Sequence, residues 1–238
     1  MVFNDELKRE IPDGWEVGKF KDVLDELQSG NRPKGGIKNI EKGIPSIGAE
    51  NILSIGKYNY GNEKIIPEEF FNKMTNGVVK SSDVLMYKDG ASLGRVSMFK
   101  NGFPYEKCCI NSHAFILRTN EIITQNFLYF WLDQDFMKEI IRRAGMRAAQ
   151  PGINQENVKD LIILLPDIET VQNFEKLISS SIDKIFFNAL ENQKLADLRD
   201  WLLPMLMNGQ VSVGDAKEYV NRQTVLGMVA EDSKTYTK

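Results

Sequence analysis

Between Asp167 and Leu203 the chain contains neither glycine nor proline, and no other stretch constrains the fold so tightly. Helix formers dominate it, Asp167 suits the N-cap and Glu169 the first turn, and Pro204 and Gly209 suit the far end. One long helix follows, reaching roughly 55 Å at about 1.5 Å per residue. Its apolar residues Val171, Phe174, Ile178, Ile182, Ile185, Ala189, Leu195, Leu198 and Leu202 recur in steps of three and four. That stripe asks for a partner helix. Packing on its own domain is the alternative, but so long a helix outruns a domain of about 160 residues, with a radius of gyration near 15 Å. Association of two chains through the stripe is therefore the expectation.

The preceding residues have another texture. From Pro12 to Pro166, Gly, Asn and Pro repeatedly interrupt short apolar or alternating runs, among them Asp83 to Tyr87, Arg95 to Phe99 and Ala114 to Leu117. Those read as strands. Helical spacing occurs at Lys19 to Gln28 and at Gln125 to Arg143, where Phe127, Leu128, Trp131, Leu132, Met137, Ile140 and Ile141 recur. The expected fold is a mixed α/β (α+β) domain over residues 1–166, a long helix over 167–213 for pairing and spacing, and a polar tail over 214–238. With no apolar segment at the N-terminus, MVFNDELKRE, and no membrane-length apolar run, the expected location is the cytoplasm. Adjacent Cys108 and Cys109 read as reduced, buried thiols.

Charge limits what the chain can do alone. Its net charge is -3; the first 160 residues balance 22 basic against 22 acidic side chains, leaving 8 basic and 11 acidic residues beyond them. This argues against a nucleic-acid binder that works alone by electrostatic attraction, but not against a local basic face. Three Gly-punctuated segments suit a polyanion. SGNRPKGGIK offers Asn31, Arg32, Lys34 and Lys38; YKDGASLGRV offers Lys88, Ser92 and Arg95; IIRRAGMRAAQPGIN offers Arg142, Arg143, Arg147, Gln150 and Asn154. Arg142 and Arg143 also fit an ordinary solvated helix face.

No catalytic constellation accompanies these loops. An adenine methyltransferase needs an Asn/Asp-Pro-Pro-aromatic turn, and no Pro-Pro pair occurs; neither does a phosphate loop of the G-x-x-x-x-G-K-S/T form. The single histidine, His113, has no second histidine or spaced cysteine to share a metal and reads as structural. Catalytic and metal sites are accordingly not expected.

Taken in order, IPDGWEVGKFKDV, GIPSIGAENI, SSDVLMYKDGASLGRVSMF, PGINQENVKDLIILLPDIETVQ and DLRDWLLPMLMNGQV resemble the specificity subunit of Type I restriction-modification systems. The resemblance covers about residues 11 to 213 and is most specific at the Leu-Pro junction into the long helix and at Trp201 to Val211. It implies a target-recognition domain that reads one half of a split DNA site, followed by a spacer helix. Full-length members have two of each, so this chain looks like a half-length form whose symmetric homodimer would restore the pair through antiparallel helices. The resemblance further implies methyltransferase subunits carrying S-adenosylmethionine and a translocating restriction subunit using ATP and Mg, with none of that chemistry in this chain. Other readings are a recognition domain serving a different DNA methyltransferase, a helical dimerisation module that never touches DNA, and an enzyme with an unrecognised site.

Overall fold

Short apolar and alternating runs pair into small, mostly antiparallel sheets, and the first part of the long helix packs on the same domain. The computed structural model describes residues 1–33, 40, 42–146, 152–214 and 217–218. In chain order the elements are β1 (Val2–Asn4), β2 (Arg9–Ile11), β3 (Glu16–Lys19), α1 (Phe20–Val23), β4 (Leu24–Ser29), β5 (Ile44–Ile47), β6 (Ile52–Ser54), β7 (Lys57–Tyr58) and β8 (Lys64–Ile66). Then follow α2 (Glu68–Asn72), β9 (Asp83–Tyr87), β10 (Val96–Phe99), β11 (Cys109–Ile110), β12 (Ala114–Thr119), α3 (Gln125–Leu132), α4 (Asp135–Gly145), α5 (Gln155–Lys159), β13 (Ile162–Leu165) and α6 (Ile168–Met207). The mixed α/β domain followed by one long helix is as the sequence predicts.

The central sheet has the order β10-β9-β12-β4 and is antiparallel throughout. Its inner strands are apolar on both faces: Val84, Leu85, Met86, Phe115, Ile116 and Leu117 are all at most 1% exposed. Elements therefore cover the sheet from either side. A second sheet, β11-β5-β8, combines one parallel and one antiparallel pairing, and β3 pairs with β13 near the two ends of the domain. Cys108 and Cys109 are buried free thiols, as expected. Burial lifts Cys108 far above the ordinary thiol range and Cys109 up to about 11, so both stay protonated.

Two expected helices differ. Lys19 to Gln28 forms only the single turn α1, after which the chain turns into β4. Helix propensity loses because β4 gains a full ladder against β12, in which Glu26 lies directly opposite Arg118 and pairs with it. The run Gln125 to Arg143 breaks at Asp133–Gln134, where Gln134 takes an extended conformation. Thr124 caps α3 by accepting the Phe127 N–H at 3.2 Å, and buried Trp131 anchors it by donating from Nε1 to the Ile162 carbonyl at 2.9 Å.

The long helix starts at its expected cap, with the Thr170 N–H donating to Asp167 Oδ1 at 2.8 Å. It does not stop at Pro204 but runs through it to Met207. Proline forfeits one backbone bond so near the end, and the stop is made by Gly209, whose φ of 66° allows Gly209 N–H and Gln210 N–H to bond the carbonyls of Leu206 and Met205.

The stripe of α6 divides in two. By packing, α6 up to Ala189 belongs to one unit with the domain, and its part from Leu190 onward belongs to a second unit. Within the first unit Val171, Ile182, Phe186 and Ala189 are buried, Phe174 meets Phe127 and Phe130 edge to face at 5.9 and 6.0 Å, and Phe186 packs on Phe103 at 5.6 Å. Ile178 is half-buried. Ile185 lies against Gly56, where a Cβ would come within 2.5 Å of its Cγ2; Gly56 has φ 65° and leaves room for the helix. Val171, Phe174, Ile182 and Ala189, expected at a dimer interface, are thus engaged by their own domain. Their apolar partners are α3, Phe103 and the Gly56 turn. In the second unit Leu195, Leu198 and Leu202 line an apolar groove with Leu203 and Leu206. None of the described helices is long and apolar enough to cross a membrane.

Candidate nucleic-acid interface

Each of the three basic segments leaves an element of the central domain, and strand register decides where they meet. The first follows β4 at Gly30, where a Cβ would fall 2.0 Å from the Ile110 carbonyl, so only glycine lets the chain leave the sheet here. The second follows β9, and the third follows α4 and returns at Gly152. Pairing of Tyr87 with Ala114 sets Lys88 and Asp89 against His113. Lys88 N–H donates to the His113 carbonyl at 3.0 Å, Ile153 N–H donates to the Lys88 carbonyl at 2.8 Å, and Asp89 bridges Gly152. The second and third segments are thereby fastened side by side. The first joins them through two side chains: Lys88 Nζ donates to Ser29 Oγ at 3.1 Å, and Gln155 Nε2 donates to the Leu27 carbonyl at 3.2 Å.

A cavity of about 460 Å³ opens at this junction, lined by Lys88, Asp89, Ala144, Gly152, Ile153 and Asn154. Lys88 also lies 4.8 Å over the Phe115 ring, a cation held by an aromatic face and a hydroxyl. Asp89 Oδ2 accepts from His113 Nδ1 at 2.7 Å. Tyr87 is pushed up to about 12, first by burial and then by the charge of Asp89 and a hydrogen bond to it, with Arg32 opposing. Asn31 and Arg32 follow Gly30 directly, and both are exposed.

The expected contact residues separate into groups. Lys88 and Asn154 line one cavity, and Asn31 and Arg32 lie two and three residues along the chain from Ser29, to which Lys88 bonds. Asn154 has a local duty as N-cap of α5, accepting the Asn157 N–H at 2.8 Å. Ser92, Arg95 and Arg142 line a second cavity together with Asp133 and Lys138. Arg95 also has a local duty, its Nη1 donating to the carbonyls of Ala49 and Ile52 at 3.5 and 3.3 Å. Arg142 and Arg143 both pair with Glu139 on the exposed face of α4, at 2.8 and 2.9 Å, the solvated-face alternative. Lys34, Lys38, Arg147 and Gln150 lie outside the described residues.

Sequence reading missed Tyr87, Asp89 and His113 as a group. Asp89 sits in an Asp-Gly turn and His113 at the start of a strand, and nothing in their spacing of 24 residues links them. Only the β9–β12 register does. His113 is accordingly no core residue; its side chain is 39% exposed.

Comparison with known proteins bears on the whole arrangement. The family model described as Type I restriction modification DNA specificity domain matches residues 12–199. Among curated relatives, the Type I restriction enzyme MjaIX specificity subunit of Methanocaldococcus jannaschii is 25% identical over 215 residues, covering 89% of this chain and 48% of its own. The MjaVIII specificity subunit of the same organism is 24% identical over 211 residues, covering 86% and 48%. The chain thus spans about half the length of these relatives. Among solved structures, a chain from a study of complex assembly and conformational transition of the type I R-M system matches with TM-score 0.52 and 18% identity, over 82% of this chain and 46% of that one. A Type-I restriction-modification system S subunit from M. genitalium matches with TM-score 0.51 and 14% identity, over 80% and 45%. These two likenesses concern the fold, including its long helix. On the extent of the family match, this chain belongs to the Type I restriction modification DNA specificity domain family.

Proposed function

We propose that this chain is the DNA-reading component of a Type I restriction-modification complex, recognising one half of a split site and doing no chemistry itself. The observation that carries the reading is the fastening of three separate basic segments into one region around Lys88, Asp89 and Gly152. A scaffold that holds loops from distant parts of the chain against one another is what base readout requires. Partner methyltransferase subunits, carrying S-adenosylmethionine, methylate adenine where this chain places them. A restriction subunit supplies ATP- and Mg-dependent cleavage in the same cytoplasmic complex. Balanced charge in residues 1–160 makes the chain a weak binder alone, with partners adding most phosphate contacts.

Two copies present the same head twice, related by a two-fold axis. The open stripe of Leu195, Leu198, Leu202 and Leu206 supports their association as an antiparallel helical pair. Methylome sequencing of cells expressing the chain with methyltransferase subunits tests the reading, and a split palindrome is expected. A non-palindromic motif, with this the only specificity chain present, would refute the dimer; absence of any motif would refute the DNA-reading role.

A further inference from the structure

We infer that His113, aimed by Asp89, is a specificity-determining residue whose Nε2 hydrogen-bonds one base edge in each half-site. The inference rests on the DNA-reading role proposed above and names a reader within it.

The backbone of His113 is held at both ends, its N–H donating to Asn111 Oδ1 at 2.8 Å and its carbonyl accepting from Lys88 N–H at 3.0 Å. Asn111 is itself buried. The ring is held a third time, by Asp89 Oδ2 at 2.7 Å from Nδ1. A carboxylate can only accept, so Nδ1 carries the proton and Nε2 is the ring nitrogen with an acceptor lone pair to offer a base edge. The Asp89 backbone is fixed in turn through its bridge to Gly152. The result is a rigid polar group, 39% exposed, beside the junction of the three loops.

A fixed ring nitrogen suits a base edge better than a phosphate. Base edges differ in where they place donors and acceptors, so one group in one direction discriminates among them. Phosphates need only a cation, and exposed Arg32 provides that. Because the ring is ordered before DNA arrives, no side-chain entropy is lost on contact. Holding the loop does not account for the pair, since Lys88 and Ile153 already fasten the same backbone without any side chain.

The test is selection from randomised duplexes by the full chain assembled with methyltransferase subunits, comparing wild type, His113→Ala and Asp89→Asn. Expected is a loss of preference of about tenfold at one base position per half-site in both variants. Other positions, binding to unrelated DNA and the thermal midpoint stay unchanged. Asp89→Asn matters because its amide can donate as well as accept, so the ring stays in place while the tautomer that the carboxylate fixes is released. Unaltered preferences in His113→Ala would overturn the inference while leaving the DNA-reading role intact. So would weakening at every position together with a lowered thermal midpoint, which marks a structural pair. If His113→Ala does not fold, His113→Gln is read the same way, and failure of both to fold overturns the inference. A wild-type complex that enriches no motif removes the DNA-reading role and this reader with it.

Discussion

Arg118 grips Asp83 across the central sheet with two hydrogen bonds, Nε to Oδ1 at 2.6 Å and Nη2 to Oδ2 at 2.7 Å, and the Asp83 side chain is 2% exposed. The carboxylate also accepts the Lys80 N–H at 2.7 Å, while the guanidinium reaches Glu26 and the Val78 carbonyl. A buried charge is tolerated here because each partner is satisfied. Arg118→Met is expected to cost about 3 kcal/mol or more, since it strands the carboxylate. Denaturant unfolding should show Arg118→Met with Asp83→Leu to be less destabilised than Arg118→Met alone.

Glu26 adds a pH dependence to the same network. The hydrogen bond from Arg118 holds its carboxyl below the ordinary value of 4.5, against a smaller desolvation effect. A carboxyl depressed in the folded state stabilises fully above its unfolded value and loses that stabilisation as pH falls through the folded one. Thermal midpoints should therefore fall more steeply below about pH 4.5 for wild type than for Glu26→Gln. Parallel curves would show that the pair contributes nothing.

The two parts of α6 should respond differently to substitution. Phe186 is 0% exposed and packs on Phe103, so Phe186→Ala is expected to cost about 3–5 kcal/mol of domain stability. Leu198 belongs to the open groove of the second unit, and Leu198→Glu should leave domain unfolding within about 0.5 kcal/mol of wild type. In sedimentation the same variant should convert the proposed dimers to monomers. If dimers persist, the chains associate elsewhere.

Two arginines placed alike in the sequence should also separate. Arg32→Ala is expected to reduce the salt dependence of DNA binding by roughly one in slope, the effect of one lost phosphate contact. Arg95→Ala should leave the slope unchanged and instead destabilise the fold by about 1–3 kcal/mol, as the Ala49 and Ile52 carbonyls lose their donor. Measuring log K against log salt for both, beside their unfolding curves, decides each assignment.

The sequence by itself determined the elements whose signals are local: the long helix from its Asp167 cap and its freedom from glycine, the strands at 83–87 and 114–117 from their apolar runs, and the family from short ordered motifs. Each signal lies within a few residues, where propensity and capping act. Tertiary structure decided what depends on partners far along the chain. Leu24 to Ser29 became a strand because β12 offered it a ladder and Arg118 a counter-charge. Val171, Ile182 and Phe186 became core because the apolar surface under them needed cover; periodicity marks which face of a helix is buried, not what buries it. Arg95 met the carbonyls of Ala49 and Ile52, more than forty residues away in the chain. His113 met Asp89 through a strand register that no spacing in one dimension encodes.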